Sequence, residues 1–334
     1  MSAHENTATN LEAAAARAAD AAMERVAAAR AAIGQVVFGQ ESVVEEALIT
    51  VLSGGHGLLV GVPGLAKTKL VETLGIVLGL AERRIQFTPD LMPADILGSE
   101  VLEEGADHRR AFRFVQGPVF AQLLMADEIN RASPRTQSAL LQAMQELHVT
   151  VAGQRYDLPR PFHVLATQNP IEQEGTYPLP EAQLDRFLMQ IDVLYPDRAA
   201  ERRILIETTG EHDAVARPAM TAEDLMSTQR LVRRLPVGES VVEAILDLVR
   251  SARPGEAGAD AKHIAWGPGP RAAQALMLAT RARALIDGRL SPSIDDVKAL
   301  ALPVLKHRMA LTFAARAEGE TIPKIVTALT ERLG

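Results

Sequence analysis

The sequence predicts an α/β fold, a parallel sheet with helices on both faces, followed by a smaller all-helical domain. Three observations carry this expectation. Short apolar runs alternate with helical patterns up to about Val193, the arrangement in which crossover helices join parallel strands. From Pro196 onward every periodic segment is helical. At the first strand-to-helix junction lies Gly61-Val62-Pro63-Gly64-Leu65-Ala66-Lys67-Thr68, a run of small residues in the context that a phosphate-binding loop requires.

With 334 residues the chain is long enough for two cores. The expected division is an alanine-rich helix over 1–33, an α/β domain over 34–195 and a helical domain over 196–334. In the stretch 11–33, Glu12, Arg17, Asp20, Glu24, Arg25 and Arg30 interrupt any apolar leader core, so it reads as an exposed helix. Val36-Val37-Phe38-Gly39-Gln40 is a short apolar link, and 41–52 has helical spacing. The first strand covers 57–60, the helix after the loop 69–80, and the next strand is Arg84-Ile85-Gln86-Phe87. Residues 88–119 form an insertion punctuated by Pro89, Pro93 and Gly98. Within it Val101-Leu102 and Phe112-Arg113-Phe114 flank a polar turn at Gly105-Ala106-Asp107, a hairpin pattern.

A helix over 133–147 takes Ser133 as N-cap and Pro134 at its first position. A second hairpin pairs 148–151 with 155–158 around Ala152-Gly153-Gln154, ahead of a strand over 162–167. Helices are then expected at 198–207, 221–234, 239–253, 271–287, 294–301 and 323–333.

The chemistry concentrates at strand ends. Around the loop, successive N–H groups and the helix N-terminus face an anion, Lys67 supplies a point charge for β- and γ-phosphates, and Thr68 offers a hydroxyl to Mg²⁺. Ala66 stands where the usual pattern has glycine. Further on, Leu123-Leu124-Met125-Ala126-Asp127-Glu128 ends a buried strand in two carboxylates at the sheet's C-terminal edge, where α/β proteins bind ligands. A solvated turn would also suit two acids, but after four apolar residues they read as a metal-shell acid, Asp127, and a water-activating base, Glu128. With the loop, this pair points to nucleotide hydrolysis.

The strand ending Leu165-Ala166-Thr167-Gln168-Asn169-Pro170 brings Asn169 to the same edge to orient the attacking water, with a plain turn signal as the alternative. Leu184-Asp185-Arg186-Phe187 offers Arg186 for a neighbouring copy's nucleotide, with Asp185 as its ion-pair neighbour, which requires a ring. Gly267-Pro268-Gly269-Pro270-Arg271 opens a helix. A cation in the first turn opposes the helix dipole, so Arg271 is expected to reach phosphate across the cleft between the two domains.

Composition removes several classes. Hydrophobic content of 47% and charged content of 23% are globular values, which excludes large-scale disorder. A net charge of −7 and a pI near 5.7 argue against nonspecific nucleic-acid binding. The absence of cysteine removes disulfides, thiolate metal sites and a cysteine nucleophile. The eight histidines are scattered and read as surface or satisfied polar residues. The uncharged run 47–66 contains Gly54, Gly55, Gly57, Gly61, Pro63 and Gly64, so no membrane span is expected and a soluble, cytoplasmic protein is.

Together these residues resemble an AAA+ ATPase, a P-loop NTPase, and within that superfamily the MoxR group. The resemblance runs from about Val36 to the end. It rests on Gly55-His56, the phosphate loop, Gln86-Phe87-Thr88-Pro89-Asp90-Leu91-Met92-Pro93-Ala94-Asp95-Ile96-Leu97-Gly98, Gly117-Pro118-Val119-Phe120, and the segments 126–132, 166–170 and 175–187. It implies a homo-hexameric ring that hydrolyses ATP with Mg²⁺ and remodels or matures a client protein, often with a partner carrying a von Willebrand factor A-like domain. It implies Lys67 and Thr68 as Walker A residues, Asp127 and Glu128 as Walker B, Asn169 as sensor 1, Arg186 as the arginine finger and Arg271 as sensor 2. Three positions depart from the group: Val60 stands where members often have glutamate, Pro268-Gly269 replaces an Ala-Ser pair, and the alanine-rich helix lies outside the shared core.

Three rivals remain at this level. An ATPase subunit of a metal chelatase would differ in supporting metal insertion with partner subunits. A DNA-acting ring would be stimulated by DNA, and a nucleotide-binding scaffold would not turn ATP over.

Overall fold

The computed structural model describes residues 3–104, 108, 110–172, 175–210, 214–255 and 261–333, with side chains described from residue 16 onward. In chain order the first half comprises α1 (Ala3–Gly34), α2 (Glu41–Leu52), β1 (Gly57–Val60), α3 (Lys67–Val77), β2 (Glu82–Gln86), α4 (Pro93–Leu97), β3 (Gly98–Glu104), β4 (Arg110–Gln116), β5 (Leu123–Asp127) and α5 (Pro134–Glu146). Next come β6 (His148–Val151), β7 (Gln154–Asp157), β8 (His163–Gln168), α6 (Glu181–Leu184), β9 (Met189–Asp192) and α7 (Arg198–Thr208). The remainder holds α8 (Ala222–Arg234), α9 (Glu239–Ser251), β10 (Ile264–Trp266), α10 (Pro270–Ile286), α11 (Ile294–Leu305), β11 (Ala310–Leu311), α12 (Phe313–Ala317) and α13 (Ile322–Thr330).

The main sheet is parallel in the order β2-β5-β8-β1-β9. Its central strands β5, β8 and β1 are buried on both faces, and successive side chains divide between two cores. Leu59, Leu123, Met125, Leu165 and Ile191 face one, while Leu58, Leu124, Ala126, Val164 and Ala166 face the other. The second core is closed by α5, whose Leu140, Leu141 and Met144 are buried, and by Ile96 of α4. The first is closed by α2, α3 and the C-terminal helices, through Leu225, Leu248, Leu276, Leu285 and Val304. The α/β sheet and the helical region therefore share one continuous core.

Ser133 caps α5, its hydroxyl accepting from the Thr136 N–H at 3.4 Å, with Pro134 next. Both expected hairpins form. β3 pairs antiparallel with β4 from Gly98↔Gln116 to Glu104↔Arg110, while the turn Gly105-Ala106-Asp107 lies outside the described residues. β6 pairs with β7 through a two-residue turn in which Ala152 and Gly153 both have positive φ, 49° and 81°.

Two expectations are corrected. The alanine-rich helix is not exposed: Ala19, Ala22, Val26, Ala29 and Ile33 form a buried stripe on α1 that joins the first core against α2, α3, α8 and α10. Small side chains let the helix approach closely; Arg17, Asp20 and Glu24 fall on the opposite face, while Arg25 and Arg30 flank the stripe and pair with Asp224 at 3.6 Å and Glu45 at 2.9 Å. The C-terminal part is also not wholly helical, because β10 and β11 form a two-stranded antiparallel ladder.

Candidate functional site

β1 ends at Val60, and the chain turns at Gly61, where a Cβ would lie 2.5 Å from the Val193 carbonyl oxygen, so no larger residue fits there. Gly64 then takes φ +84°, and Ala66, at φ 56° and ψ 21°, precedes α3 directly. That left-handed conformation explains the usual glycine at this position. It costs an L-residue about 1–2 kcal/mol. The Lys67 ammonium curls back over the loop and donates to the carbonyl oxygens of Gly61 and, at 3.0 Å, Val62. Burial pushes the Lys67 pKa down, while the Asp127 and Glu128 carboxylates pull it back up.

Those acids end β5, two places from β1 in the sheet, with β8 between them. Asp127 is buried. Its Oδ1 accepts from the Thr167 hydroxyl at 2.5 Å, and its Oδ2 accepts from Arg84 Nη2 at 2.6 Å and Nε at 3.2 Å. Glu128 sits in the left-handed region, φ 55° and ψ 50°. Its N–H donates to Thr167 Oγ1 at 2.8 Å, and its Oε2 accepts from Gln86 Nε2 at 2.8 Å and Arg131 Nη1 at 3.0 Å. One threonine hydroxyl on β8 thus joins both acids. A strained backbone held by several bonds is characteristic of a functional position.

Asn169 lies just beyond β8 at the same edge. Its Oδ1 accepts from the Ile171 N–H at 3.1 Å and its Nδ2 donates to Glu172 at 3.5 Å, so its amide closes the local turn.

Beside the loop is a cavity of about 280 Å³ walled by Val36, Val37, Phe38, Leu65, Ile204 and Thr208. An apolar slot abutting a phosphate cradle suits a nucleobase. Residues 36–40, expected as a short apolar link, supply one wall of it. The signal that could have identified it is an apolar run with no strand partner placed just ahead of the phosphate loop.

Arg186 and Arg271 lie elsewhere. β9 starts beside Gly57, and Asp185-Arg186 precede it, so they occupy the N-terminal edge of the sheet, opposite the phosphate loop. There Asp185, Arg186, Arg271 and Arg308 line a cleft of about 290 Å³. Arg271 approaches Asp185 at 3.7 Å and is half exposed. Arg271, expected to reach phosphate across the cleft between the two domains, thus stands at the end of the sheet opposite the phosphate loop of its own copy, because α10 docks its N-terminus there. Asp185 pairs with Arg308 at 2.7 Å and with Arg271, and the buried Arg186 Nε has no hydrogen-bond partner among the described residues.

Two histidines are satisfied in the core. His56 Nδ1 accepts from the Val164 N–H at 3.0 Å while Nε2 faces the Met144 carbonyl at 3.2 Å, and burial lowers its pKa to about 3. His163 faces the Gly55 carbonyl at 2.8 Å, and burial lowers its pKa to about 4. Among the described residues no group of three or more His, Cys, Asp or Glu could hold a metal, and no helix is long and apolar enough to cross a membrane.

A parallel sheet with a phosphate loop at one strand end and paired acids two strands away defines the class of P-loop nucleotide hydrolases. The family model described as ATPase family associated with various cellular activities (AAA) matches residues 56–189, and an AAA lid domain model matches 256–329. The chain is 44% identical to Chaperone MoxR1 of Mycobacterium tuberculosis, over 88% of this chain and 78% of that one. It is 33% identical to Protein MoxR of Paracoccus denitrificans, over 90% and 93%. A crystal structure from Cytophaga hutchinsonii, of a chain classed as an ATPase, superimposes with a TM-score of 0.89 at 37% identity, covering 97% of this chain and 98% of that one. The chain belongs to the MoxR family of AAA+ ATPases, with a C-terminal helical lid.

Proposed function

We propose that this chain hydrolyses ATP, with Mg²⁺, at junctions between copies in a homo-hexameric ring, and uses the cycle to remodel a client protein in the cytoplasm. The observation that carries the reading is the separation of two half-sites. Loop and acids occupy one edge of the sheet, while Arg186 and Arg271 sit together at the other. A strand of four residues at about 3.3 Å per residue keeps them roughly 13 Å apart within one copy. Both arginines would then face the nucleotide of the next copy, where positive charge offsets the charge developing on the transferred phosphoryl group.

The donor set fits Mg²⁺. Thr68 and Asp127 present hard oxygen atoms, and the lack of an all-protein cage among the described residues suits an ion held largely by phosphates and water. Held by Thr68 and Asp127, Mg²⁺ would offset the negative charge of the phosphates. Gly61 to Thr68 would cradle the phosphates, and Lys67 would exchange two loop carbonyls for phosphate oxygens. Glu128 would take the proton of the attacking water and Asn169 would orient that water. The chaperone name of the mycobacterial relative supports a protein client, and a partner with a von Willebrand factor A-like domain belongs to the same reading.

The test is Glu128→Gln in the full chain. It should bind ATP with native affinity and lose turnover by about 10²-fold or more. Native turnover would remove Glu128 as the base.

A further inference from the structure

Arg308 is nearly solvent-free, yet it is an arginine, and it lies at the edge of the sheet away from the phosphate loop, in the cleft with Arg186. Such a side chain is stable in a core when its donors are satisfied, and here each nitrogen is. Nε donates to Asp185 Oδ1 at 2.7 Å. Nη2 donates to the Phe187 carbonyl at 2.6 Å and the Asp185 carbonyl at 3.2 Å, and Nη1 to the Leu188 carbonyl at 3.0 Å and the Val304 carbonyl at 2.6 Å. Four of these five bonds end on residues 185, 187 and 188, which bracket Arg186. The neighbouring His307 ring faces the same Phe187 carbonyl at 3.2 Å. One residue earlier, Lys306 Nζ reaches Asp192 at 2.7 Å, at the other end of β9. The turn Lys306-His307-Arg308 in the C-terminal helical region therefore grips β9 at both ends.

We infer that Arg308 is a positioning residue for Arg186, fixing the segment Asp185–Leu188 so that the lid and the arginine offered to the next copy move as one body. This rests on the reading above that Arg186 serves a neighbouring copy. A planar fork with several aligned donors fixes a backbone segment in a way an ammonium cannot. A displacement of about 1 Å at a reacting group is enough to cost roughly 10²-fold in rate.

The test uses Arg308→Lys in the full chain, which keeps the charge and loses the fork. Affinity for a fluorescent ATP analogue should stay within about twofold of native and turnover should fall about tenfold or more. The defect should lie in what the variant offers its neighbour. Mixing it with the Lys67→Ala chain, inactive by itself, should restore turnover above the sum of the two, because the variant's intact loop then meets the intact Arg186 segment of the Lys67→Ala chain. Native turnover by Arg308→Lys overturns the inference. So does a loss that mixing leaves unrepaired while Arg186→Ala mixed with Lys67→Ala recovers. Native turnover by Arg186→Ala overturns the trans reading itself, and the inference with it. If Arg308→Lys loses the native circular dichroism, Asp185→Asn takes its place with the same expected results, and native turnover by that variant overturns the inference.

Discussion

Gln86 Nε2 donates to Glu128 Oε2 at 2.8 Å, joining the last residue of β2 to the residue that follows β5. Arg131 binds the same oxygen, so Oε2 is committed to the protein, while Oε1 has no hydrogen-bond partner among the described residues. In Gln86→Ala the carboxylate loses an anchor, and turnover should fall about tenfold with unchanged nucleotide affinity. Gln86→Glu replaces the donor with a second negative charge beside Glu128 and should lower turnover at least as far. Steady-state kinetics checks both; native turnover in either variant counts against the contact.

Thr167 makes a stability prediction as well as a catalytic one. Its buried hydroxyl donates to Asp127 and accepts from the Glu128 N–H. Thr167→Val leaves that N–H unpaired and should cost about 1–3 kcal/mol in chemical denaturation. Thr167→Ser keeps the hydroxyl and should lose much less.

At Ala66 the expected sign is the reverse. Glycine removes a left-handed penalty of about 1–2 kcal/mol and adds unfolded-chain entropy worth about 0.4–1 kcal/mol. Ala66→Gly should therefore be neutral to about 1.6 kcal/mol more stable, with ATP affinity retained. A clear loss of stability in denaturant titration would contradict the backbone argument.

Glu46 sets a pH dependence. Burial raises its pKa from 4.5 to about 7; Lys306 opposes the shift, and Asp192 and Glu45 add to it. The folded protein thus binds this proton more tightly than the unfolded chain. The contribution is fully present below pH 4.5 and is lost as pH rises through about 7. Glu46→Gln should flatten the stability curve across that window and gain on the order of 2 kcal/mol at pH 8. Thermal unfolding from pH 5 to 8 measures it.

What the chain reveals on inspection is what local chemistry decides. The loop, the two acids, the Ser133 cap and both hairpins depend on residues a few positions apart. Their partners depend on register. That Arg84 and Gln86 face Asp127 and Glu128 follows from β2 pairing with β5, which no run of residues announces. Arg308 reads as one of three basic residues in a polar turn, and only tertiary packing makes it core. The direction in which α10 docks decided the placement of Arg271, and a helical period carries no direction. The buried stripe of α1 was legible, since Ala22, Val26, Ala29 and Ile33 recur at helical spacing, but the surrounding charges masked it.

The strand order also acts as a gauge. With β8 interposed, the loop strand and the acid strand stand two rungs apart, roughly 10 Å at about 4.8 Å per rung. Were β1 and β5 immediate neighbours, the opening would halve, too narrow for a terminal phosphoryl group and the water lined up behind it. The width available for reaction is set by how the sheet is woven, and side-chain replacement at its rim leaves that width intact.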